Sequence, residues 1–184
     1  MFRRTLLAAA VAVTAGGSAL AQAPATDLDN TLYMDLKDGR VVIRLRPDLA
    51  PKHVERVKML AREGFYNGTP FHRVIEGFMA QGGDPTGTGT GGSKYPDLPA
   101  EFTNSVHFLR GTVGAARTSS PNTANSQFYL CFAPASSLDG QYTIWGQVVS
   151  GMEYVDKIKR GSGSSGTVAG PDKIIKLQVA SDAK

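Results

Sequence analysis

The stretch FHRVIEGFMAQGGD, residues 71–84, contains two segments whose pattern is typical of paired strands, FHRVI and FMAQGGD. Arg73 lies within the first segment, although a lone arginine in a sheet is ordinarily solvated. Gln81 lies in the second segment, and Phe78 and Met79 give it more apolar surface than a charged exterior needs. This mixture indicates a binding site for a mostly apolar group that carries one strong hydrogen-bond acceptor.

The register of this strand pair decides whether Arg73 and Gln81 can meet. A two-residue turn through Glu76-Gly77 would place Arg73 opposite Ala80, and the two polar side chains would then be separated. One bulged residue near Gly77 would instead place Arg73 opposite Gln81. We predict the bulge, because the glutamine carbonyl could then orient the guanidinium.

The segment SQFYLCF, residues 126–132, supplies a second constraint, because alternate residues of a strand point to opposite faces. One face is wholly apolar and is predicted to belong to the core: Phe128, Leu130 and Phe132. The other face places a glutamine amide beside an aromatic ring: Gln127, Tyr129 and Cys131. Cys131 is interpreted as a small barrel hydrophobe, since a single cysteine forms no internal disulfide and has no electropositive neighbours in sequence.

Further short strands are predicted on both sides of these segments. TLYMDLKDGRVVIRL, residues 31–45, has the pattern of a hairpin with its turn at Asp38-Gly39, the strongest short-range signal of this kind. The other apolar runs bounded by turn residues are EFT, GTVGAAR, TIWGQVV and KIIKLQVA.

Two helices complete the pattern. Asp48 and Pro51 are expected to open the first helix, which Gly64 ends. Ser150 with Glu153 three residues later forms a capping box that predicts the start of the second helix, and Gly161 is expected to end it. About eight strands and two helices without βαβ alternation predict a mainly β fold, a closed eight-stranded antiparallel β-barrel capped by two α-helices.

The amino-terminal segment has the three parts of a secretory signal peptide. Arg3 and Arg4 precede an apolar run over residues 6–13, and small residues ending at Ala21 form the cleavage site. The run is shorter than the roughly 20 residues that span a bilayer, so we expect an exported protein without stable membrane association. The predicted division is a signal peptide over 1–21, a flexible leader over 22–30 and a folded domain over 31–184.

The charge and the remaining motifs exclude several functions. The net charge of +4 includes the two arginines of the predicted signal peptide, and the small remainder does not indicate nucleic-acid binding. Gly87-x-Gly89-x-x-Gly92 has the spacing of a dinucleotide fingerprint, but Pro96 disfavours the helix that must follow it. The histidines have no metal-ligand spacing, and His53 is expected to be solvated. A monomer is expected, since no exposed apolar stripe is evident.

Three segments resemble the cyclophilin family of peptidyl-prolyl isomerases: FHRVIEGFMAQGGD, GTVGAARTSSPNTANSQFYLCF (111–132) and LDGQYTIWGQV (138–148). They occur in the family's order and spacing, and the resemblance extends from about residue 31 to 180. It implies a capped eight-stranded barrel that isomerises X-Pro bonds in polypeptides without a cofactor. With the predicted signal peptide, the chain resembles the periplasmic bacterial members, which assist the folding of exported proteins. A proline-binding chaperone module with little turnover is the alternative.

The resemblance also implies roles for particular residues. The family's catalytic arginine corresponds to Arg73, and its two site glutamines to Gln81 and Gln127. The proline-pocket residues correspond to Phe78, Met79, Tyr129 and Leu138, and the backbone pair that aligns a substrate strand to Ala116 and Arg117. Tyr142 stands where the family has a pocket histidine. Ser137 stands where animal members have a tryptophan that helps to bind cyclosporin, so weak binding of that drug is expected.

Overall fold

The computed structural model describes residues 27–184, and one antiparallel sheet organises them. Its strand order is β3-β4-β6-β5-β7-β2-β1-β8. The eight strands are β1 (Thr31–Leu36), β2 (Gly39–Leu45), β3 (Arg73–Ile75), β4 (Met79–Gly82), β5 (Thr112–Ala115), β6 (Phe128–Cys131), β7 (Ile144–Ser150) and β8 (Lys176–Val179). Helix α1 spans Pro51–Arg62 and helix α2 spans Met152–Val155. The predicted hairpin of residues 31–45 is confirmed, whereas the segment EFT forms no strand.

The prediction of a closed barrel is wrong, because β3 and β8 are the two ends of an open, curled sheet. The segments that precede these strands do meet, at the isolated bridge between Pro70 and Lys173. The Phe71 N–H donates to the Asp172 carbonyl at 2.9 Å beside this bridge. The Ile174 N–H donates to the Thr69 carbonyl at 3.0 Å on the other side of the bridge, but β3 itself pairs with residues 161–168, so no continuous ladder joins β3 to β8.

The free edge of β3 is covered by the loop of residues 161–168. The Val74 N–H donates to the Gly166 carbonyl at 2.7 Å, and the Gly161 N–H donates to the Val74 carbonyl at 2.9 Å. These bonds satisfy backbone groups that an exposed edge strand would leave open to pairing with another chain. They also fix this loop beside Arg73, which begins β3.

Helix α1 lies where the sequence predicts it, but its amino terminus is capped by a distant residue. Asp48 does not cap the helix and pairs instead with Arg46, at 2.7 Å. The Glu101 carboxylate accepts the N–H groups of Lys52 and His53, both at 3.0 Å. A carboxylate at this end satisfies free N–H groups and complements the helix dipole.

The second helix is shorter than predicted, and the predicted capping box is wrong. Ser150 is the last residue of β7 and pairs with Val42, so it is not available as a cap. Gly151 occupies the N-cap position with φ 84°, and an added Cβ would lie 2.4 Å from the Arg40 carbonyl oxygen. Only glycine fits this close, left-handed connection between sheet and helix.

The two faces of β6 separate two apolar clusters, as the alternation of SQFYLCF predicts. Phe128, Leu130 and Phe132 belong to the main core, which includes residues of all eight strands. Tyr129 and Cys131 belong to a second cluster with Met79, Phe108, Ala135 and Ile144. Cys131 is therefore a buried hydrophobe, as predicted, but it packs in this second cluster. No helix within residues 27–184 is long and apolar enough to cross a membrane.

Candidate active site

A pocket of about 190 Å³ opens beside the second cluster. Nine of the ten predicted site residues line it: Arg73, Phe78, Met79, Gln81, Ala116, Arg117, Tyr129, Leu138 and Tyr142. The tenth, Gln127, lies in an adjoining groove that Gln81, Ala116 and Arg117 also border. The fold thus brings together residues from five separate segments of the chain.

The predicted register of β3 with β4 is confirmed: Arg73 lies opposite Gln81, and Ile75 lies opposite Met79. The extra residue is accommodated in a three-residue connection, 76–78, and the ladder itself runs without a register shift. Gly77 makes this turn with φ 71°, in the left-handed region that glycine tolerates. Gln81 is also paired with Tyr129 on β6, so three strands present their site residues side by side.

The Arg73 guanidinium is held by two hydrogen bonds, neither of them to a carboxylate. Nη1 donates to Gln81 Oε1 at 3.2 Å, and Nε donates to the Ser165 carbonyl at 3.0 Å. Within residues 27–184 these bonds leave the Nη2 donors available to a ligand. Ser165 was not predicted from the sequence, because its carbonyl reaches the site only through the pairing of the 161–168 loop with β3.

The two glutamines continue this network away from Arg73. Gln81 Nε2 donates to Gln127 Oε1 at 3.0 Å. Gln127 Nε2 in turn donates to the carbonyls of Gly89 and Gly91, at 3.0 and 2.9 Å. The amide of Gln81 therefore points its oxygen at the guanidinium and its nitrogen at Gln127.

The apolar side of the pocket is built from stacked rings. Tyr129 is 5 % exposed and packs against Phe108, with ring centroids 5.9 Å apart and 27° between the planes. Tyr142 meets the Tyr129 ring edge-on at 6.0 Å. Burial raises the pKa of Tyr129, and within residues 27–184 its hydroxyl has no hydrogen-bond partner. Phe108 lies in a loop without strand periodicity, so no sequence pattern singled it out.

Arg117 braces the rim of the pocket with its side chain. Its guanidinium lies 4.3 Å from the centre of the Tyr142 ring, and Nη2 donates to the Gln141 carbonyl at 2.8 Å. The backbone N–H of Ala116 donates to the Gln127 carbonyl at 2.9 Å. A bound strand would therefore have the Ala116 carbonyl and the Arg117 backbone with which to pair.

Other titratable groups lie outside the pocket. His53 is 3 % exposed, so the expectation of a solvated side chain is wrong. Its Nδ1 lies 2.6 Å from Glu101 Oε2, and burial lowers its pKa although the carboxylate opposes the shift. Burial raises the pKa of the Cys131 thiol to about 12, which makes it unreactive. The described residues contain no cluster of three potential metal ligands. Residues 83–97 contain no helix, in agreement with the prediction from Pro96.

Comparison with known proteins identifies the class to which this fold and pocket belong. Residues 31–179 match the family described as cyclophilin type peptidyl-prolyl cis-trans isomerase/CLD. The chain therefore belongs to the cyclophilin family of peptidyl-prolyl cis-trans isomerases, as its sequence predicts.

Individual relatives agree with this assignment. A probable peptidyl-prolyl cis-trans isomerase of Brucella suis is 54% identical over all of this chain and 99% of the relative. A peptidyl-prolyl cis-trans isomerase of Helicobacter pylori is 42% identical over 73% of this chain and 85% of its own.

Solved structures show the same fold. A cyclophilin from Hirschia baltica superposes with a TM-score of 0.77 at 26% identity, covering 86% of this chain and 76% of that one. A cyclophilin type isomerase from Cryptosporidium parvum, crystallised in the presence of the dipeptide Ala-Pro, gives 0.75 at 29% identity, covering 81% and 98%.

Proposed function

We propose that this enzyme isomerises X-Pro bonds in extended polypeptide segments, with the proline ring in the pocket and Arg73 as its catalytic residue. The observation that carries the proposal is the position of the Arg73 guanidinium. It is fixed by Gln81 and Ser165 at the edge of a pocket that the apolar side chains of Phe78, Met79 and Leu138 also line. An apolar ring with a hydrogen-bond acceptor next to it, which is a prolyl residue, fits both parts.

The chemistry explains why neither a nucleophile nor a metal is required. The prolyl bond rotates over a barrier of roughly 18–20 kcal/mol because amide resonance delocalises the nitrogen lone pair. In the twisted form the lone pair is localised on the prolyl nitrogen and accepts a hydrogen bond. A guanidinium N–H aimed at this nitrogen therefore stabilises the twisted form more than either planar form, which is differential binding of the transition state.

One hydrogen bond does not supply the whole rate enhancement. An acceleration of about 10⁵ lowers the barrier by about 7 kcal/mol, and one hydrogen bond to a charged group contributes roughly 1.5–3 kcal/mol. The pocket contributes by holding the ring between Phe78, Met79 and Leu138 while the preceding carbonyl swings. Backbone pairing with Ala116 and Arg117 aligns the rest of the segment and adds an entropic contribution.

The cellular role follows from the predicted signal peptide. Residues 1–21 lie outside the described residues, and their sequence supports export to the periplasm. We propose that the enzyme acts there on proline-containing polypeptides that are unfolded or only partly folded. Cell fractionation with an antibody would place the protein in the periplasmic fraction, and a cytoplasmic location would contradict this role.

A protease-coupled assay on a short Ala-Pro peptide tests the proposed activity, using the wild type, Arg73→Ala and Arg44→Ala. Arg44 is an exposed arginine of β2 outside the pocket, so it serves as the matched control. The proposal is supported if the wild type turns over the peptide and Arg73→Ala reduces this turnover more than tenfold, while Arg44→Ala leaves it unchanged. Saturable binding without wild-type turnover would make the protein a proline-binding chaperone module instead.

A further inference from the structure

The glycine-rich loop that follows β4 is built around one buried carboxylate. Asp84 has no exposed surface, and its Oδ1 accepts the Thr86 N–H and the Thr86 hydroxyl, both at 2.8 Å. Its Oδ2 accepts the N–H groups of Gly89 and Gly91, at 2.7 and 3.1 Å. Burial alone would raise the pKa of Asp84, but these hydrogen bonds lower it, so the group is ionised at neutral pH.

The two glycines that Asp84 holds by their N–H groups are the two that hold Gln127 by their carbonyls. Both Gly89 and Gly91 accept hydrogen bonds from Gln127 Nε2. The loop thus donates hydrogen bonds to the Asp84 carboxylate and accepts hydrogen bonds from the Gln127 amide. Glycine is required at both positions. A Cβ on residue 91 would lie 2.1 Å from Asp84 Oδ1, and Gly89 has a φ of 87°, in the left-handed region that other residues rarely adopt.

The hydrogen bonds from Gln127 to the loop fix the orientation of both glutamine amides. Because Gln127 Nε2 is committed to two carbonyls, its oxygen faces Gln81, and the Gln81 nitrogen must be the donor between them. The Gln81 oxygen is then left facing the Arg73 guanidinium. Reversing either amide would set two donors or two acceptors against each other, which costs the desolvation of unpaired polar groups.

We infer that Asp84 is a positioning residue for Arg73, acting through the glycine loop and the two glutamine amides. Of the spacing Gly87-x-Gly89-x-x-Gly92, which has the form of a nucleotide fingerprint, only Gly89 takes part in these contacts, and the second glycine is Gly91. The inference rests on the proposed catalytic function of Arg73. We call this chain of hydrogen bonds, from Asp84 through the two glycines and the two glutamines to Arg73, the relay. None of its groups belongs to the apolar wall of the pocket formed by Phe78, Met79 and Leu138.

The relay is one of two anchors on the guanidinium, since Ser165 holds Nε independently. Breaking the relay therefore loosens Arg73 without releasing it, and the expected loss in kcat is about tenfold, below the roughly hundredfold cost of a full misplacement. KM changes little, because the ring pocket and the backbone partners of the substrate stay in place. A merely structural role for Asp84 would lower stability without this split between kcat and KM.

Three variants of the full chain test the inference: Asp84→Asn, Gly91→Ala and, as control, Gly92→Ala. Asp84→Asn replaces one acceptor by a donor. Gly91→Ala displaces the loop while keeping the carboxylate. It therefore tests the inference independently if Asp84→Asn does not fold. Gly92 is the next residue and makes no bond in the relay, and the atoms nearest to an added Cβ would be those of the Asn125 side chain, at 3.2 Å.

Two measurements are made on each folded variant: kcat and KM on an Ala-Pro peptide by NMR exchange, and the ¹⁵N resonances of the Gln81 and Gln127 side-chain amides. We expect both test variants to lower kcat about tenfold with near-unchanged KM and to shift both amide signals, while Gly92→Ala does neither. Wild-type kcat in a folded test variant, or a loss of kcat without amide shifts, would overturn the inference. Absent turnover in the wild type would overturn the proposed function instead, and the amide signals would still show whether the relay exists.

Discussion

The two apolar clusters on either side of β6 differ in how they are closed. Leu130, which has no exposed surface, belongs to the main core, which contains residues of all eight strands and of helix α1. The second cluster holds Tyr129 on the same strand, but its outer members Phe78, Leu138 and Tyr142 are only partly buried. One strand therefore contributes stability through one face and a binding pocket through the other. The predictions below separate these two contributions.

The largest effect is expected from Leu130→Ala, which leaves a cavity in the closed cluster. Removing a fully buried leucine costs about 2–5 kcal/mol of unfolding free energy, measured by urea denaturation. The kcat/KM of the molecules that remain folded should stay at the wild-type value, because Leu130 points away from the pocket. A large drop in kcat/KM at full folding would show that the two faces are not independent.

Leu138→Ala should have the opposite profile, because Leu138 is a partly buried residue at the open side of the second cluster. KM for an Ala-Pro peptide is expected to rise about tenfold, which corresponds to about 1.4 kcal/mol of binding energy. The urea midpoint should change little. An unchanged KM would remove Leu138 from the proline pocket.

Tyr129→Phe sharpens the comparison within the pocket floor. The Tyr129 hydroxyl is buried without a hydrogen-bond partner among the described residues, so removing it should stabilise the fold by about 1 kcal/mol. Isomerase activity should be retained, since the ring that packs on Phe108 remains. Thermal denaturation measures the gain, and a destabilised variant would show that the hydroxyl makes a bond in solution.

The smallest effect is expected from Ser137→Trp, which adds an aromatic ring at the rim of the second cluster. Cyclosporin should inhibit the wild type weakly, and the variant about three- to fivefold more strongly, or up to about 1 kcal/mol. Inhibition titrations of both proteins make the comparison. Equal inhibition would show that the residue at this position does not limit binding of the drug.

Local patterns were sufficient to predict the parts of the fold that depend on neighbouring residues. The alternation in SQFYLCF assigned both faces of β6, and the need to join Arg73 with Gln81 gave the register of β3 with β4. Motifs quoted from the resemblance placed nine residues around one pocket. The first two predictions depend on periodicity and on residues close together in sequence, whereas the pocket, which joins separate segments, was predicted only from the resemblance.

The predictions that failed depend on contacts between distant segments. Glu101 caps α1 from far along the chain, which the pattern around Asp48 does not indicate. Ser150 has the sequence of a cap, but its pairing with Val42 keeps it in β7. The sheet stays open between β3 and β8 because the free edge of β3 pairs with the loop of residues 161–168, a contact between segments that are far apart in sequence.

The central claim is that the Arg73 guanidinium stabilises the twisted prolyl bond more than either planar form. The most direct test measures peptide Kd and the bound-state exchange rate of one Ala-Pro peptide by NMR, in the wild type and in Arg73→Ala. The account predicts an exchange rate reduced more than tenfold with a Kd within about threefold of wild type. If instead Kd rises more than tenfold and the bound-state exchange rate stays at the wild-type value, Arg73 only binds the substrate. That result would contradict the mechanism.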